Sequence, residues 1–208
     1  MRLQPHTAGY ASTLAREALT QGGESSERIV PLAAGLNSHA YLVDGDMVVK
    51  VSRWAFNREQ AKSRLSAAYD FYNLLKRHHG DSALDTSFSL ATDLVDSRKL
   101  RLTTVQRFVE GQILSTGVNF DPEQLVTLFE EALIMFERTK KIGDFACVEG
   151  GFFNPFQSNN VIVRPNGEPI LTDVDTGKIQ GSLLFGPVWN RFIVNGVRKG
   201  LDELREVA

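Results

Sequence analysis

Between Arg28 and Phe108 the hydrophobic period switches twice, and this alternation constrains the fold more than any other feature of the chain. Arg28 to Leu32, His39 to Val43 and Met47 to Ser52 are short β-rich runs, the last two joined by the tight-turn triplet Asp44-Gly45-Asp46. From Asn57 to about His78 the spacing becomes helical, with Ala61, Leu65, Ala68, Tyr72 and Leu75 on one stripe, stopped by Gly80 and Asp81. Two further strand candidates follow, Phe88 to Val95 and Leu100 to Phe108, around the turn Asp96-Ser97-Arg98-Lys99. Three strands, a helix and two strands with hairpin turns predict a small antiparallel sheet carrying one helix, within an α+β fold.

The rest of the chain reads as mainly helical. Asp121 is placed to cap a long helix, with Pro122 in its first turn and Gln124 three residues after the cap. Its stripe is Leu125, Leu128, Phe129, Ala132, Leu133 and Phe136, and Gly143 closes it. Two short β-runs, Val161 to Val163 and Ile170 to Thr172, flank Arg164-Pro165-Asn166-Gly167. A last helix is expected over Val188 to Leu204, with Trp189, Phe192, Ile193, Val197, Leu201 and Leu204 toward the core. Residues 1–27 are polar and mixed, with a short helix through Ala11 to Leu19, and read as a leader or docking segment outside the core. The expected division is therefore 1–27, 28–109 and 110–208.

Composition narrows the function classes. Cys147 is the single cysteine, which excludes a disulfide scaffold and a multi-cysteine zinc site. A net charge of −2 argues against a domain that grips nucleic acid, and no apolar run is long enough for a membrane span. The first thirty residues lack a secretory pattern, so the protein is expected to be soluble and cytoplasmic, or delivered to a host cell without a cleaved signal peptide. The adjacent His78 and His79 are explained by the dipole at a helix end.

Four features stand in an informative order. Gly35-Leu36-Asn37-Ser38-His39-Ala40 is a small polar turn between strands, whose backbone N–H groups can approach a phosphate. Lys50 is a charge inside the apolar run Val48-Val49-Lys50-Val51, either on a solvated strand face or aimed at a nucleotide. Glu59 and Asp70 lie 9 and 20 residues beyond Lys50, on the same side of one helix, and either can pair with it. Asn160 and Asp173 stand 13 residues apart with a hairpin between, an oxygen pair suited to a hard divalent cation such as Mg²⁺.

In this order and spacing, residues 29–178 resemble the protein-kinase-like superfamily. The resemblance implies a bilobal fold, with a small antiparallel-sheet N-lobe and a truncated, mainly helical C-lobe, that binds ATP and Mg²⁺. Gly35, Asn37, Ser38 and His39 would cover the phosphates, Lys50 would bind them and Asp70 would orient Lys50. Asn160 and Asp173 would hold the metal, and the adenine would lie against the backbone of Gln106, Phe108 and Val109. Two departures stand out. The glycine turn has one Gly where the full pattern has three. The catalytic-loop acid is replaced by Pro155, preceded by Asn154, and neither can act as a base. Asp175 is the nearest substitute acid, with Glu149 and Asp144 further off. The chain also looks like the minimal-kinase type III secretion effectors of bacterial pathogens, which implies a Ser/Thr kinase acting on a host protein. The Pro155 departure leaves a nucleotide-binding pseudokinase and an adenylyl-transferring relative as alternatives, with a small-molecule phosphotransferase ranked behind them.

Overall fold

The computed structural model describes residues 13–17, 19–20, 28–34, 38–115, 117–143, 145, 158–172 and 186–207. The chain divides into two compact units, one of residues 1–69 and 85–108, the other of residues 70–84 and 109–208. Helices and antiparallel sheet are both present, as the α+β expectation requires. The expected break near residue 109 falls between Phe108 and Val109, while residues 70–84 go with the second unit, not the first.

The first unit is built on a five-stranded antiparallel sheet in the order β1-β2-β3-β5-β4. Its strands are β1 (Ile29–Ala34), β2 (Ser38–Val43), β3 (Met47–Ser52), β4 (Thr86–Thr92) and β5 (Leu100–Arg107). The turn between β2 and β3 works because Asp44 and Gly45 both take positive φ, 50° and 88°, which suits the strand twist and which Asp and Gly tolerate. Helix α2 (Arg58–His79) begins in this unit and ends in the second. Its buried side chains are Ala61, Ala68, Phe71, Leu75 and His79, close to the expected stripe, with Leu65 and Tyr72 half-buried.

Residues 13–17 and 19–20 are helical (α1), and here the structure corrects the sequence expectation. Leu14, Ala15 and Leu19 are buried against Tyr41, Val43, Val49, Val51 and Ala91. This part of the N-terminal segment is therefore core, because one face of β2 and β3 presents apolar side chains that must be covered. Glu17 adds a polar tie, accepting a hydrogen bond from the Thr92 N–H at 3.1 Å.

The second unit contains the three-stranded sheet β6-β7-β8, of β6 (Gln112–Leu114), β7 (Ser158–Val163) and β8 (Pro169–Leu171), with α3 (Pro122–Thr139) and α4 (Gly186–Val207). The Asp121 cap forms as expected: its carboxylate accepts from the N–H groups of Glu123 and Gln124 at 3.0 and 3.2 Å. The Gln124 amide bonds to that carboxylate instead of closing a capping box, because the Asp121 N–H already donates to the Gly167 carbonyl at 2.9 Å. Gly167 holds φ 88°, and a Cβ there would meet the Asp121 nitrogen at 3.0 Å. The helix ends earlier than Gly143: Lys140 takes the left-handed cap at φ 59° and its N–H donates to the Phe136 carbonyl. Met135 is buried where Leu133 and Phe136 were expected to be, and Phe192 of α4 is exposed instead of facing the core. The side chain of Trp189 lies outside the described ones.

His79 overturns the dipole explanation. Its side chain is fully buried, 3.3 Å from a Glu131 oxygen without hydrogen-bond alignment, and it meets the edge of Phe145. Burial, then the charge of His78, pushes its pKa down from 6.5 to about 4, so it is neutral at pH 7. The folded state thus binds this proton less readily than the unfolded chain. Stability is full above pH 6.5 and falls as the pH drops toward 4, by about 2 kcal/mol between pH 7 and 5. Burial pushes the Glu131 carboxyl up, an effect of opposite sign on the pH dependence. Urea unfolding at pH 7 and pH 5 will show this loss in the wild type and a smaller one in His79→Gln; equal losses would refute the assignment.

Candidate nucleotide site

Strand register places Lys50 directly. It lies opposite Ala40 on one side and Thr104 on the other, and Thr104 lies opposite Phe88. Cross-strand partners share a sheet face, so Ala40, Lys50, Thr104 and Phe88 form one row. His39, Val51, Thr103 and Ser89 form the next row on the opposite face, where Val51 packs with α1. Lys50 therefore stands on the face opposite α1, half-buried between Ala40 and Thr104. On that face the Tyr69 ring of α2 meets Phe88 edge-on at 5.2 Å, and its hydroxyl donates to the Phe88 carbonyl at 2.9 Å.

The same register separates the expected phosphate-covering residues. Ser38, opposite Ser52, shares the Lys50 face, whereas the His39 side chain lies on the α1 side. Burial, then Arg53 and Arg101, lowers the His39 pKa. Gly35 and Asn37 lie outside the described residues.

Two positions along from Lys50, Gln106 is opposite Val48 and Thr86 on this face. It is buried, and its amide donates to the Thr86 hydroxyl at 2.8 Å. The Phe108 N–H, which the adenine reading would use, donates to the Asp46 carbonyl at 2.6 Å, and the Phe108 ring is 41% exposed. In the second unit Val109 packs with Leu84 and Ile170. Thr86 and Thr104 are site neighbours that motif spacing does not reveal; strand alternation across the β4–β5 hairpin is the signal that finds them.

Asp70 and Glu59 do share one side of α2, and both are exposed. Asp70 is nine positions from buried Ala61, which at about 100° per residue puts it half a turn away from the packed stripe. An exposed carboxylate in this place contributes at most weakly to a charge pair. Asp70→Asn is expected to change nucleotide affinity by less than about fivefold, the ceiling for an exposed charge pair, as a titration of both proteins will show.

In the second unit the β7–β8 ladder runs from Val163–Pro169 to Val161–Leu171 and closes one step further. The Asn160 carbonyl accepts the Thr172 N–H at 2.8 Å and its hydroxyl at 3.2 Å. Asn160 is half-buried, and its own N–H donates to the Ser158 hydroxyl at 3.3 Å. Asp173 is the residue immediately after this closure. It lies outside the described residues, as do Asn154, Pro155 and Asp175. Among the described residues no three His, Cys, Asp or Glu side chains gather to hold a metal by themselves. Nor is any described helix long and apolar enough to cross a membrane.

No family model and no curated protein matches the chain. Among solved structures, an amicoumacin kinase in complex with AMP-PNP, Ca²⁺ and Ami is similar at 12% identity and a TM-score of 0.48, over 97% of this chain and 78% of that one. A GDP and kanamycin complex of an aminoglycoside phosphotransferase is similar at 13% identity and a TM-score of 0.41, over 97% of this chain and 86% of that one. A GDP complex of wild-type aminoglycoside 2'-phosphotransferase matches at 18% identity and a TM-score of 0.34, over 65% of this chain. The chain spans 41% of that last structure. All three are distant likenesses.

Proposed function

We propose that the chain is an ATP- and Mg²⁺-dependent phosphotransferase of the kinase fold. The observation that carries the reading is Lys50, a half-buried cation in an otherwise apolar central strand, on the sheet face opposite the one that packs with α1. A half-buried ammonium there neutralises phosphate charge more strongly than an exposed one would, because nearby water is excluded. Asn160 and Asp173 supply an amide oxygen and a carboxylate, the donor types a hard cation takes alongside phosphate oxygens. The closed Asn160–Thr172 pair fixes the end of the hairpin on which both depend. When bound, Mg²⁺ would neutralise charge on the transferring phosphoryl group.

Phosphoryl transfer passes through a loose transition state, so positioning and charge stabilisation supply most of the catalysis. The loss of a base at Pro155 lowers the rate without removing these contributions. Asp175 is the acid we assign to take the acceptor proton. For the acceptor we propose a Ser or Thr hydroxyl of a protein, the finer reading implied by the resemblance to minimal-kinase effectors.

The test uses γ-labelled ATP with Mg²⁺, offered a cell lysate, the protein itself and kanamycin. Label on a lysate protein, lost in Asp173→Ala, supports the full reading. Label on kanamycin alone keeps the phosphotransferase and refutes the protein acceptor. Pro155 motivates a second reading, a nucleotide-binding module without turnover. ATP-dependent stabilisation with no label on any acceptor would favour it.

A further inference from the structure

We propose that the end of the five-stranded sheet formed by the loop after β3 and the β4–β5 hairpin docks on an anionic membrane surface. The two segments are stapled together. Phe56 and Leu100 exchange backbone hydrogen bonds at 2.8 Å each, and the Arg101 guanidinium donates to the carbonyls of Ser52 and Arg53. The hairpin is internally tied as well: the Asp93 N–H donates to Lys99, the Lys99 N–H to Asp96, and the Val95 N–H to the Asp93 carboxylate. A tip ordered in this way nevertheless turns Trp54, Leu94 and Val95 outward, at 58%, 49% and 84% exposure. Isolated exposed apolar residues need no explanation, but three large ones on two joined loops do.

Charge selects the occupant. Residues 52–58 and 93–101 carry five basic and two acidic side chains in a chain whose balance is −2. Asp93 and Arg101 form a largely buried ion pair and cancel, which leaves four basic side chains and one acidic one. Asp96 is the exposed acid, with Arg98 and Lys99 beside it. Burial, then the charges of Arg53 and Arg101, lowers the His39 pKa at this end of the sheet. At the opposite end stand the acidic turn residues Asp44 and Asp46.

Protruding apolar side chains flanked by Arg and Lys match a bilayer interface. Tryptophan is favoured at the headgroup level, and basic groups are drawn to anionic lipids. An acidic peptide would favour apolar groups set in a groove, which a residue as exposed as Val95 does not provide.

The probe is a vesicle of phosphatidylcholine, with or without about 30% phosphatidylserine. The protein should sediment at least tenfold more with the anionic vesicles, and the preference should vanish as salt rises toward about 0.5 M. In a Trp189→Phe background, Trp54 emission should shift to the blue on vesicle addition. Trp54→Ala with Val95→Ala should cut binding about tenfold by removing apolar insertion. Arg53→Glu with Arg98→Glu, which changes only exposed groups, should abolish the anionic preference. Equal sedimentation with both vesicle types, or unchanged binding by both variant pairs, overturns the proposal. So does retention on polyglutamate through these residues without vesicle binding, which would mark an acidic polypeptide as the partner.

Discussion

Lys50→Met lowers ATP affinity roughly 100-fold while leaving the protein folded, the first of two large effects expected here. A charge-assisted contact to phosphate contributes about 1.5–3 kcal/mol, and each 1.4 kcal/mol is tenfold in affinity. The half-buried position between Ala40 and Thr104 puts the effect at the upper end of that range. Methionine retains the apolar stem, so the packing of β3 survives and the melting temperature without nucleotide is expected to stay near that of the wild type. Lys50→Arg should rescue poorly, because a planar guanidinium fork does not replace a compact ammonium point charge. Calorimetric titration with ATP measures this directly. Unchanged affinity in a folded Lys50→Met protein would remove Lys50 from the site.

The second large effect concerns α1. Leu14 is fully buried, together with Ala15 and Leu19, against the apolar face of β2 and β3. Leu14→Ala should cost about 2–5 kcal/mol, the range for truncating a leucine in a core that relaxes only in part. A detached leader would lose no more than about 0.5 kcal/mol, the usual limit for a surface change. Urea unfolding of Leu14→Ala separates the two outcomes. The same face includes Val49 and Val51, neighbours of Lys50 in sequence, so loosening α1 also loosens the strand that presents Lys50.

Much of the fold was legible where its signals are local. The Asp44-Gly45-Asp46 turn, the switch from strand to helix period and the Asp121 cap each carry their own chemistry within a few residues. What was not legible depended on distant partners. A helix of about two turns offers too few positions for a periodic stripe, so the burial of Leu14 and Leu19 follows only from the sheet they cover. Strand β6 is three residues long and exists through its pairing with β7. Lys140 takes the left-handed cap that was assigned to Gly143, a conformation that glycine favours but does not monopolise.

The candidate site divides in the same way. Lys50 announced itself as a charge in an apolar strand, but the face it occupies required the register with Ala40 and Thr104. His39 was grouped with the phosphate turn by proximity in sequence, and alternation sends its side chain to the other face. Asp70 had the expected separation from Lys50 and stands exposed on α2. Its distance of nine positions from Ala61 was already readable and would have placed it opposite the buried stripe.

The central proposal is that Lys50 binds the phosphates of a nucleotide and that Asn160 and Asp173 bind its metal. Calorimetric titration of ATP in the presence and absence of Mg²⁺, on wild type, Asn160→Ala and Asp173→Ala, tests it most directly. The account predicts that Mg²⁺ tightens ATP binding to the wild type at least tenfold and that both variants lose this gain while staying folded. Metal-independent binding in the wild type, or a full Mg²⁺ effect in both variants, would contradict it.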